Sequence, residues 1–435
     1  MEILRGILGL AFLLAVGYAF SYNRTLVQWR IVFVGIVLQL VFGIAVFKVP
    51  FIHQGFSWLS SKFVAFLDFA RQGAVFLFGG LSVNSFTDAS AGHNLGFLFA
   101  FQALPTVIFF SAVTSGLYYL GVLQKIVKGF AWVMVRTMKL SGAESLSASA
   151  NIFMGQTEAP LLVKPFIKNM TQSELFCLMT GGMSTLAGSV LAVYVGMLGG
   201  SDPASQANFA TYLLCASIMN APAAIVMSKL IMPEGEADKV DSRLVVNKEQ
   251  LGVNLMDALA SGIGDGVKLA LNIGAMLLAF IAMILALNWM LSSIGEWVGI
   301  NEWINTSTSG AYKSFGLEYI LGQVFRVFAF SMGIDWSESM LVGSLLGKKM
   351  VLNEFLAYAD LTTFKEGGFL SEKSVLISTF ALCGFANFSS IAIQIGGIGG
   401  MAENRKSDLS RLGMRAMLAA FLATMMSATI AGAIF

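Results

Sequence analysis

Long apolar stretches, separated by short polar or charged ones, dominate the pattern along this chain. Residues 52–75 differ, because they mix Lys62, Asp68 and Arg71 with aromatic residues, which predicts an amphipathic helix at a membrane surface. Eight apolar stretches are long enough to cross about 30 Å of hydrocarbon as helices, namely 6–22, 31–48, 94–122, 174–198, 208–232, 267–291, 373–399 and 412–435. The pattern therefore predicts an all-α polytopic membrane protein with about eight transmembrane helices.

The composition of the chain excludes a water-soluble fold. Of 435 residues, 56% are hydrophobic and 12% are charged, whereas a soluble domain has about 25% charged residues. The net charge is +2 and there is no basic run, so nucleic acid is not an expected partner. Three scattered cysteines indicate neither a disulfide framework nor a metal site. The stretch GSLLGKK (343–349) lacks the spacing of a phosphate-binding loop, so we expect no organic cofactor.

The distribution of Lys and Arg predicts which loops face the cytoplasm. Both termini are then outside, and the polar stretch 233–250 is a linker that divides the chain into two halves. The basic residues concentrate in 23–30, 123–140, 229–250 and 403–415. We therefore expect a multi-pass protein of the cell (cytoplasmic or inner) membrane.

Two less apolar segments, 141–170 and 316–358, do not fit the count of spans. Both carry carboxylates and are interrupted by Gly, Asn or Pro, which is typical of re-entrant hairpins. Broken helices at membrane depth are tolerated where protein buries them or where they line a wet cavity. Each segment is followed by a polar cap and two spans, and the predicted topology has them enter from opposite sides. The pattern predicts an inverted repeat with two oppositely oriented re-entrant helical hairpins, as in transporters.

This pattern divides the chain into five parts. We expect peripheral N-terminal helices and the interfacial helix in 1–90, and a scaffold helix with a cytoplasmic connection in 91–140. The first transport repeat occupies 141–232. The linker, a second scaffold helix and an external segment occupy 233–315, and the second transport repeat occupies 316–435.

The first candidate site lies in the sequence NIFMGQTEAP (151–160). A glycine and a proline loosen the helix on both sides of the carboxylate, and Asn151, Gln156, Thr157 and Glu158 offer amide, hydroxyl and carboxylate groups. Intramembrane carboxylates are costly and usually functional. The alternative is a short surface loop with solvated polar residues.

The second candidate site is Glu354, which follows Asn353 in the other interrupted segment. An ionised carboxylate accepts hydrogen bonds, so it can hold both hydroxyls of a vicinal diol such as that of ribose. The alternative is an internal ion pair with Arg326 or Lys348.

The third candidate site lies in the glycine-flanked span CGFANFSS (383–390). If the span stays helical, Asn387 and Ser390 share one face beside Phe385. Such a polar stripe between aromatic residues suits a sugar attached to a flat ring. The alternative is hydrogen bonding between helices, which is common for Asn and Ser in membrane bundles.

Five stretches of the chain resemble the concentrative nucleoside transporter family. The combination of GQTEAP, NEF and CGFAN is the specific part of the resemblance. The stretches are SASANIFMGQTEAPLLVKPFI (147–167), SIMNAPAAIVMSKLIMPE (217–234), LALNIGAMLLAFIAMI (269–284), LVGSLLGKKMVLNEFLAY (341–358) and the stretch 381–418. The resemblance is to a bacterial-type member of the family. It implies eight membrane helices, two re-entrant hairpins and a homotrimer, in which a transport domain moves against a scaffold.

The resemblance also implies which residues hold a nucleoside. Leu269 or Leu271 would line the base side. The implied nucleobase contacts are Gly155, Gln156, Thr157, Glu158 and Val190, with Gly155 allowing close approach of the backbone. The implied ribose contacts are Glu354, Asn387 and Ser390, with Phe385 packing alongside.

A sodium site is implied in the same way. Oxygen ligands suit a hard cation, and an unwound backbone supplies them without charge. Thr185 stands where the family has Ser and keeps the hydroxyl. The implied ligands are the side chain of Asn151, the carbonyl of Met154, and the residues Thr185 and Leu186. Because some bacterial members use protons, Glu158 or Glu354 is the alternative carrier of the coupling ion.

The sequence thus predicts a symporter that imports uridine-like nucleosides by alternating access, driven by a sodium gradient. The expected partners are a nucleoside, sodium or a proton, the lipid bilayer and two further copies of the chain. Two other classes compete with this prediction. An intramembrane enzyme would use Glu158 and Glu354 as a pair, but neither motif contains a histidine. A channel would conduct without stoichiometric coupling.

Overall fold

The computed structural model describes residues 2–82, 98–200, 202–236, 238, 240–241, 243–244, 252–308, 310 and 312–435. Throughout these residues the regular structure is helical, without a strand. The helices are α1 Glu2–Ala19, α2 Trp29–Lys48, α3 Pro50–Phe78, α4 Phe99–Gln102, α5 Leu104–Tyr119, α6 Val122–Met138, α7 Gly142–Ala150, α8 Lys164–Ile167, α9 Gln172–Ser184, α10 Gly188–Gly199, α11 Pro203–Ile231, α12 Leu255–Val298, α13 Asn301–Ser307, α14 Leu317–Ser331, α15 Ser339–Val351, α16 Glu354–Glu366, α17 Glu372–Leu382, α18 Phe388–Met401 and α19 Lys406–Ile434.

The number of predicted spans agrees with the structure, but the two sets of eight differ at one span. The structure has Pro50–Ser82 where the prediction had 373–399. Eight helical stretches of the described residues are long and apolar enough to cross a membrane. They include Pro50–Ser82, which contains the helix predicted at the membrane surface. That helix carries three charged residues, and it qualifies as a span by length and composition only. Its interfacial position therefore stays a prediction. The beginning of the predicted span 94–122 and the linker residues 245–250 lie outside the described residues.

The predicted span 373–399 is not one regular helix, because the stretch is broken between α17 and α18. The predicted span 174–198 is likewise broken, between α9 and α10. At the second break Gly384 has a φ of +153°, and a Cβ there would lie 2.7 Å from the Ser184 carbonyl oxygen. A glycine is therefore required for the two breaks to lie side by side.

The interrupted segments form pairs of short helices. The first pair is α7, which begins with a capping box between Ser141 and Glu144, and the short helical turns that end at Ile167. The predicted bounds of the second, 316–358, need correction. Leu317–Ser331 is a separate helix packed along α15, and the chain reverses between α15 and α16. At 13 residues each, these arms are about 20 Å long, too short to cross about 30 Å of hydrocarbon.

Burial divides the helices into two groups. The apolar windows of Gln172–Gly199, Pro203–Ile231 and Glu403–Ile434 are 94%, 83% and 83% buried. The window of Leu255–Val298 is only 11% buried, and this 44-residue helix packs along α5. The core thus lies around the broken helices, while α12 presents apolar side chains outward, as a lipid-facing or subunit-facing helix does.

Candidate substrate and cation sites

The two helix breaks and the two hairpin turns meet at one cavity of about 390 Å³. This volume lies within the range of about 300–1,000 Å³ that is typical of small-molecule sites. Helix α12 contributes Leu269, Asn272 and Met276 to one wall, whereas Leu271 is exposed and is not in the lining. The lining contains all the residues that the resemblance implied for a nucleoside: Gly155, Gln156, Thr157, Glu158, Val190, Glu354, Phe385, Asn387 and Ser390.

Glu354 is buried at the first position of α16, where Asn353 caps the helix by accepting the Leu356 N–H at 3.0 Å. The Glu354 carboxylate accepts hydrogen bonds from the Tyr194 hydroxyl at 3.0 Å and from the Asn387 amide at 2.9 Å. Both partners donate, which suits an ionised acid. The sequence did not indicate Tyr194, which lies on α10.

The alternative ion pairs for Glu354 are wrong. Lys348 forms its ion pair with Glu318 at 3.0 Å and also with Asp360. Arg326 donates to the Ser339 hydroxyl at 3.0 Å and to a backbone carbonyl. Glu354 is therefore held by hydrogen bonds from neutral groups, and it lies at the cavity.

Asn387 does not share a regular helix face with Ser390, because the span does not stay helical between Leu382 and Phe388. It is the N-cap of α18, and its side-chain oxygen accepts the Ser390 N–H at 2.9 Å. The same oxygen accepts the Ser389 hydroxyl at 2.7 Å. The helix break therefore directs the Asn387 amide towards Glu354 while its oxygen closes the first turn of α18.

Gln156 joins the two halves of the chain at the cavity. Its amide nitrogen donates to the Ser390 hydroxyl at 3.1 Å, and its oxygen accepts the Gln394 amide at 3.2 Å. Gln394 is fully buried and also donates to the Met179 carbonyl at 3.0 Å. The sequence analysis missed Gln394, although it lies one helical turn after Ser390, where a side chain points to the same face.

Glu158 lies in the turn after Gly155 and accepts the N–H of that glycine at 3.3 Å. Glu158 is half-buried and lines the cavity. It therefore does not lie in a solvated surface loop. A Cβ on Gly155 would meet Ala187 at 3.5 Å, which is an ordinary contact. Space alone therefore does not require a glycine at this position.

The four residues of the implied sodium site lie where the first hairpin turn meets the end of α9. The Gly188 N–H donates to the Phe153 carbonyl at 3.3 Å, which joins the turn to the helix break. A Cβ on Gly181 would lie 3.2 Å from the Asn151 amide nitrogen, so the glycine leaves room for that amide. Met154, Leu186 and Thr185 are also buried.

The chemistry of these groups suits a monovalent cation. Asn151 is fully buried, and both polar atoms of its side chain are without a hydrogen-bond partner in the part of the chain that the structure describes, a state that costs about 1–3 kcal/mol for each group. The Thr185 hydroxyl donates to the Gly181 carbonyl at 3.1 Å, which leaves its lone pairs available. Neutral oxygens at the C-terminal end of a helix favour a hard cation.

Asn220 connects the two broken helices. Its amide nitrogen donates to the carbonyl of Ser184, at 2.9 Å, and to that of Cys383, at 2.7 Å. These carbonyls lie at the ends of α9 and α17, where no helical N–H follows. The sequence analysis did not single out this residue, although an Asn two positions before Pro222 in an apolar helix is a usable signal.

A membrane protein whose broken helices surround a polar cavity in its core belongs to the class of secondary transporters. Three family models match the chain: Na+ dependent nucleoside transporter N-terminus over residues 8–81, nucleoside recognition (Gate) over 100–201, and Na+ dependent nucleoside transporter C-terminus over 212–432. The chain belongs to the concentrative, sodium-dependent nucleoside transporter family. It is a transporter and not an enzyme.

Curated relatives agree with this assignment. An uncharacterized transporter of Haemophilus influenzae is 41% identical over 99% of this chain and 98% of its own length. Sodium/nucleoside cotransporter 2 of Rattus norvegicus is 36% identical over 98% of this chain and 62% of its own length. The predicted family is therefore confirmed.

Solved structures confirm the all-helical fold. CNTnw in an inward-facing substrate-bound state has a TM-score of 0.88 and 38% identity, covering 100% of this chain and 98% of that chain. A variant of CNTnw in an outward-facing state has a TM-score of 0.89 at the same identity and coverage.

Proposed function

We propose that this protein is a symporter that imports uridine-like nucleosides and is driven by a sodium gradient. The observation that carries the proposal is the cavity of about 390 Å³, in which the polar groups of both halves converge. The hairpin turn that lines it begins at Gly155, four residues after Asn151, whose buried amide has no hydrogen-bond partner among the described residues. One site suits a neutral polar ligand and the other suits a cation.

Within this proposal the second half of the chain holds the ribose. The Glu354 carboxylate already accepts two hydrogen bonds, from Tyr194 and Asn387, so it is oriented for further donors such as two vicinal hydroxyls. Ser390 and Asn387 lie beside it and offer a hydroxyl and an amide. Phe385 provides an apolar surface for the sugar ring.

The first half holds the nucleobase. Val190 and Leu269 offer apolar surface for a flat ring, while Gln156, Thr157 and Glu158 lie at its polar edge. An amide both donates and accepts hydrogen bonds, and a carboxylate accepts them, which suits the alternating donors and acceptors of a base. Rigid apolar walls with few polar groups are typical of such a site.

The continuity of the first hairpin turn supports sodium coupling. Asn151 and Met154 would bind the cation, and the very next residues, Gly155 to Glu158, face the cavity. A cation that orders this turn would also order the nucleobase contacts. The two binding free energies are then coupled, and each ligand raises the affinity for the other.

We further propose a homotrimer with alternating access, in the cell membrane, with both termini outside. Residues 141–232 and 316–435 would form the transport domain, which carries the cavity. Residues 91–140 and 233–315 would form the scaffold, whose helix α12 exposes large apolar side chains such as Leu278 and Trp289. Such a surface suits lipid and neighbouring subunits.

Proton coupling is the second candidate, because Glu158 and Glu354 are carboxylates at the cavity. Uptake of labelled uridine into proteoliposomes distinguishes sodium coupling from proton coupling. A sodium gradient is imposed in one arm of the experiment and a proton gradient in the other. We expect sodium-driven accumulation above the external concentration, which a channel does not produce. Accumulation driven only by protons would move the coupling role to a carboxylate. No uptake by folded protein under either gradient would contradict the proposal.

A further inference from the structure

Lys349 is a fully buried lysine on α15 that the proposed transport mechanism does not yet use. Its ammonium donates to the Ala381 carbonyl at 2.8 Å and to the Thr424 hydroxyl at 3.0 Å. Both of these partners are neutral oxygens. A lysine in the interior of a membrane protein is costly and marks a function by default.

The position of this ammonium matches that of the cation site in the other half of the chain. Thr171 and Ser371 are the N-caps of α9 and α17, and each helix ends at a break beside the cavity. In the cation site, the Thr185 hydroxyl contacts the carbonyl of Gly181, in the last turn of α9. In α17 the matching carbonyl is that of Ala381, and the Lys349 ammonium contacts it.

The physical reason for a positive charge is the same at both helix ends. The last carbonyls of a helix have no intrahelical donor, and the helix dipole places partial negative charge there. In one half, the described partners leave Asn151 with unpartnered polar atoms. In the other half, a side chain of the protein itself supplies the cation.

The charges around the cavity suggest what this ammonium does. Of the described residues that line the cavity, only Glu158 and Glu354 carry a charge. Lys349, near the end of α15, precedes Glu354 by five residues across the turn between α15 and α16. The ammonium therefore balances one of two carboxylates, and one further monovalent cation completes the balance. Neutrality matters because unpaired charges are costly in a low-dielectric interior.

We propose that Lys349 is a tethered cation that takes, in the second half of the chain, the place that the coupling ion takes in the first half. One sodium ion per nucleoside is then sufficient. The inference rests on the proposed function of sodium-coupled symport. Lys349 does not line the cavity, so it is a positioning residue that acts through Glu354 and the end of α17.

The test is uridine binding to purified protein by calorimetry over a series of sodium concentrations. For the wild type we expect a Hill coefficient for sodium of about 1. In K349Q the uridine affinity at low sodium should fall by about tenfold or more, and the Hill coefficient should rise towards about 2 as a second ion replaces the ammonium. Dual-isotope flux in proteoliposomes should show the same change in sodium ions carried per uridine.

Two matched variants separate charge from structure. K349R keeps a positive charge and should keep the Hill coefficient of the wild type. K268Q removes a lysine from α12 whose side chain is 80% exposed, and it should bind uridine and sodium as the wild type does. Thermal unfolding shows whether each variant is folded.

The outcomes distinguish this inference from the proposed function. Wild-type protein that binds uridine independently of sodium would overturn the proposed function, and this inference with it. Sodium-dependent wild type together with folded K349Q whose Hill coefficient stays at about 1 would overturn the tethered cation alone. If K349Q does not fold, T424V serves instead, because it removes one acceptor of the ammonium. Unchanged uridine and sodium affinities in T424V would also overturn the inference.

Discussion

In both halves of this transporter a broken helix borders the cavity, but the two breaks present different side chains to it. Each half has a hairpin turn and a broken helix that end there, with Ala187 and Asn387 as the N-caps after the breaks. Val190 and Ser390 then occupy the same position of the following helix, and both line the cavity. Similar breaks therefore carry an apolar set of side chains in the first half and a hydrogen-bonding set in the second.

The same contrast holds at the ends of the helices before the breaks. The end of α9 lies beside Asn151, whose buried amide has no partner among the described residues. The end of α17 lies beside Lys349, whose ammonium is satisfied. We infer that the end of α9 in the first half binds an exchangeable cation, whereas the end of α17 in the second half is held permanently by the Lys349 ammonium. The predictions below test that division, beginning with the largest effect.

Replacing Glu354 with Gln should lower uridine affinity by about 100-fold. The carboxylate is the charged acceptor of the second half, and two charge-assisted hydrogen bonds to a ribose are worth about 1.5 kcal/mol each. Calorimetric titration of purified protein at saturating sodium measures this effect. Because a 2′,3′-dideoxy analogue lacks both hydroxyls that the carboxylate would hold, it should lose no further affinity in the variant.

The matched control is Glu366→Gln, which makes the same change at the exposed end of the same helix. It should bind uridine as the wild type does. Wild-type affinity in folded Glu354→Gln would show that the ribose is held elsewhere, and the division between the halves would fail.

Replacing Asn151 with Ala should lower sodium affinity by about tenfold and leave uridine affinity at saturating sodium within a few-fold. The amide is expected to be an ion ligand and does not line the cavity. Its removal also deletes two buried polar atoms that no described residue satisfies, so thermal stability without sodium should not fall. Sodium dependence of uridine binding and of the melting temperature measures both effects.

Asn169→Ala is the control, because Asn169 is exposed beyond the same hairpin. Equal sodium affinity in the wild type and in Asn151→Ala would remove the ion from the first half. Loss of uridine binding at every sodium concentration would place Asn151 in the substrate site instead.

Much of this architecture could be predicted from the sequence, because a bilayer imposes a simple rule on long apolar stretches. The helix breaks could not be placed. Thr185 and Ala187 lie in a stretch that is apolar enough for one continuous span, and hydropathy does not show that α9 ends at Ser184. The reason for the break is tertiary: Asn220, distant in sequence, satisfies the carbonyls that the break leaves free.

The candidate site was predictable where single residues carry unusual chemistry. Glu158 and Glu354 are carboxylates in membrane segments, so the sequence alone indicated them, and the family resemblance supplied Val190. Tyr194 and Gln394 were missed, because a Tyr or a Gln in an apolar helix has no distinctive spacing. Only the fold shows that they hold Glu354 and Gln156.

Replacing Ser390 with Ala should have the smallest effect, a loss of uridine affinity of about fivefold, which corresponds to about 1 kcal/mol for one neutral hydrogen bond. The substitution leaves the backbone of α18 unchanged, because the Ser390 group that donates to the Asn387 side-chain oxygen is its N–H and not its hydroxyl. It removes the acceptor of the Gln156 amide.

The matched substitution Val190→Ala, at the same position of the first half, removes only apolar surface. If the halves are divided as we propose, Ser390→Ala should lose affinity for uridine more than for its 3′-deoxy analogue, whereas Val190→Ala should weaken both equally. The opposite pattern would place the ribose beside Val190 and reverse the roles of the two halves.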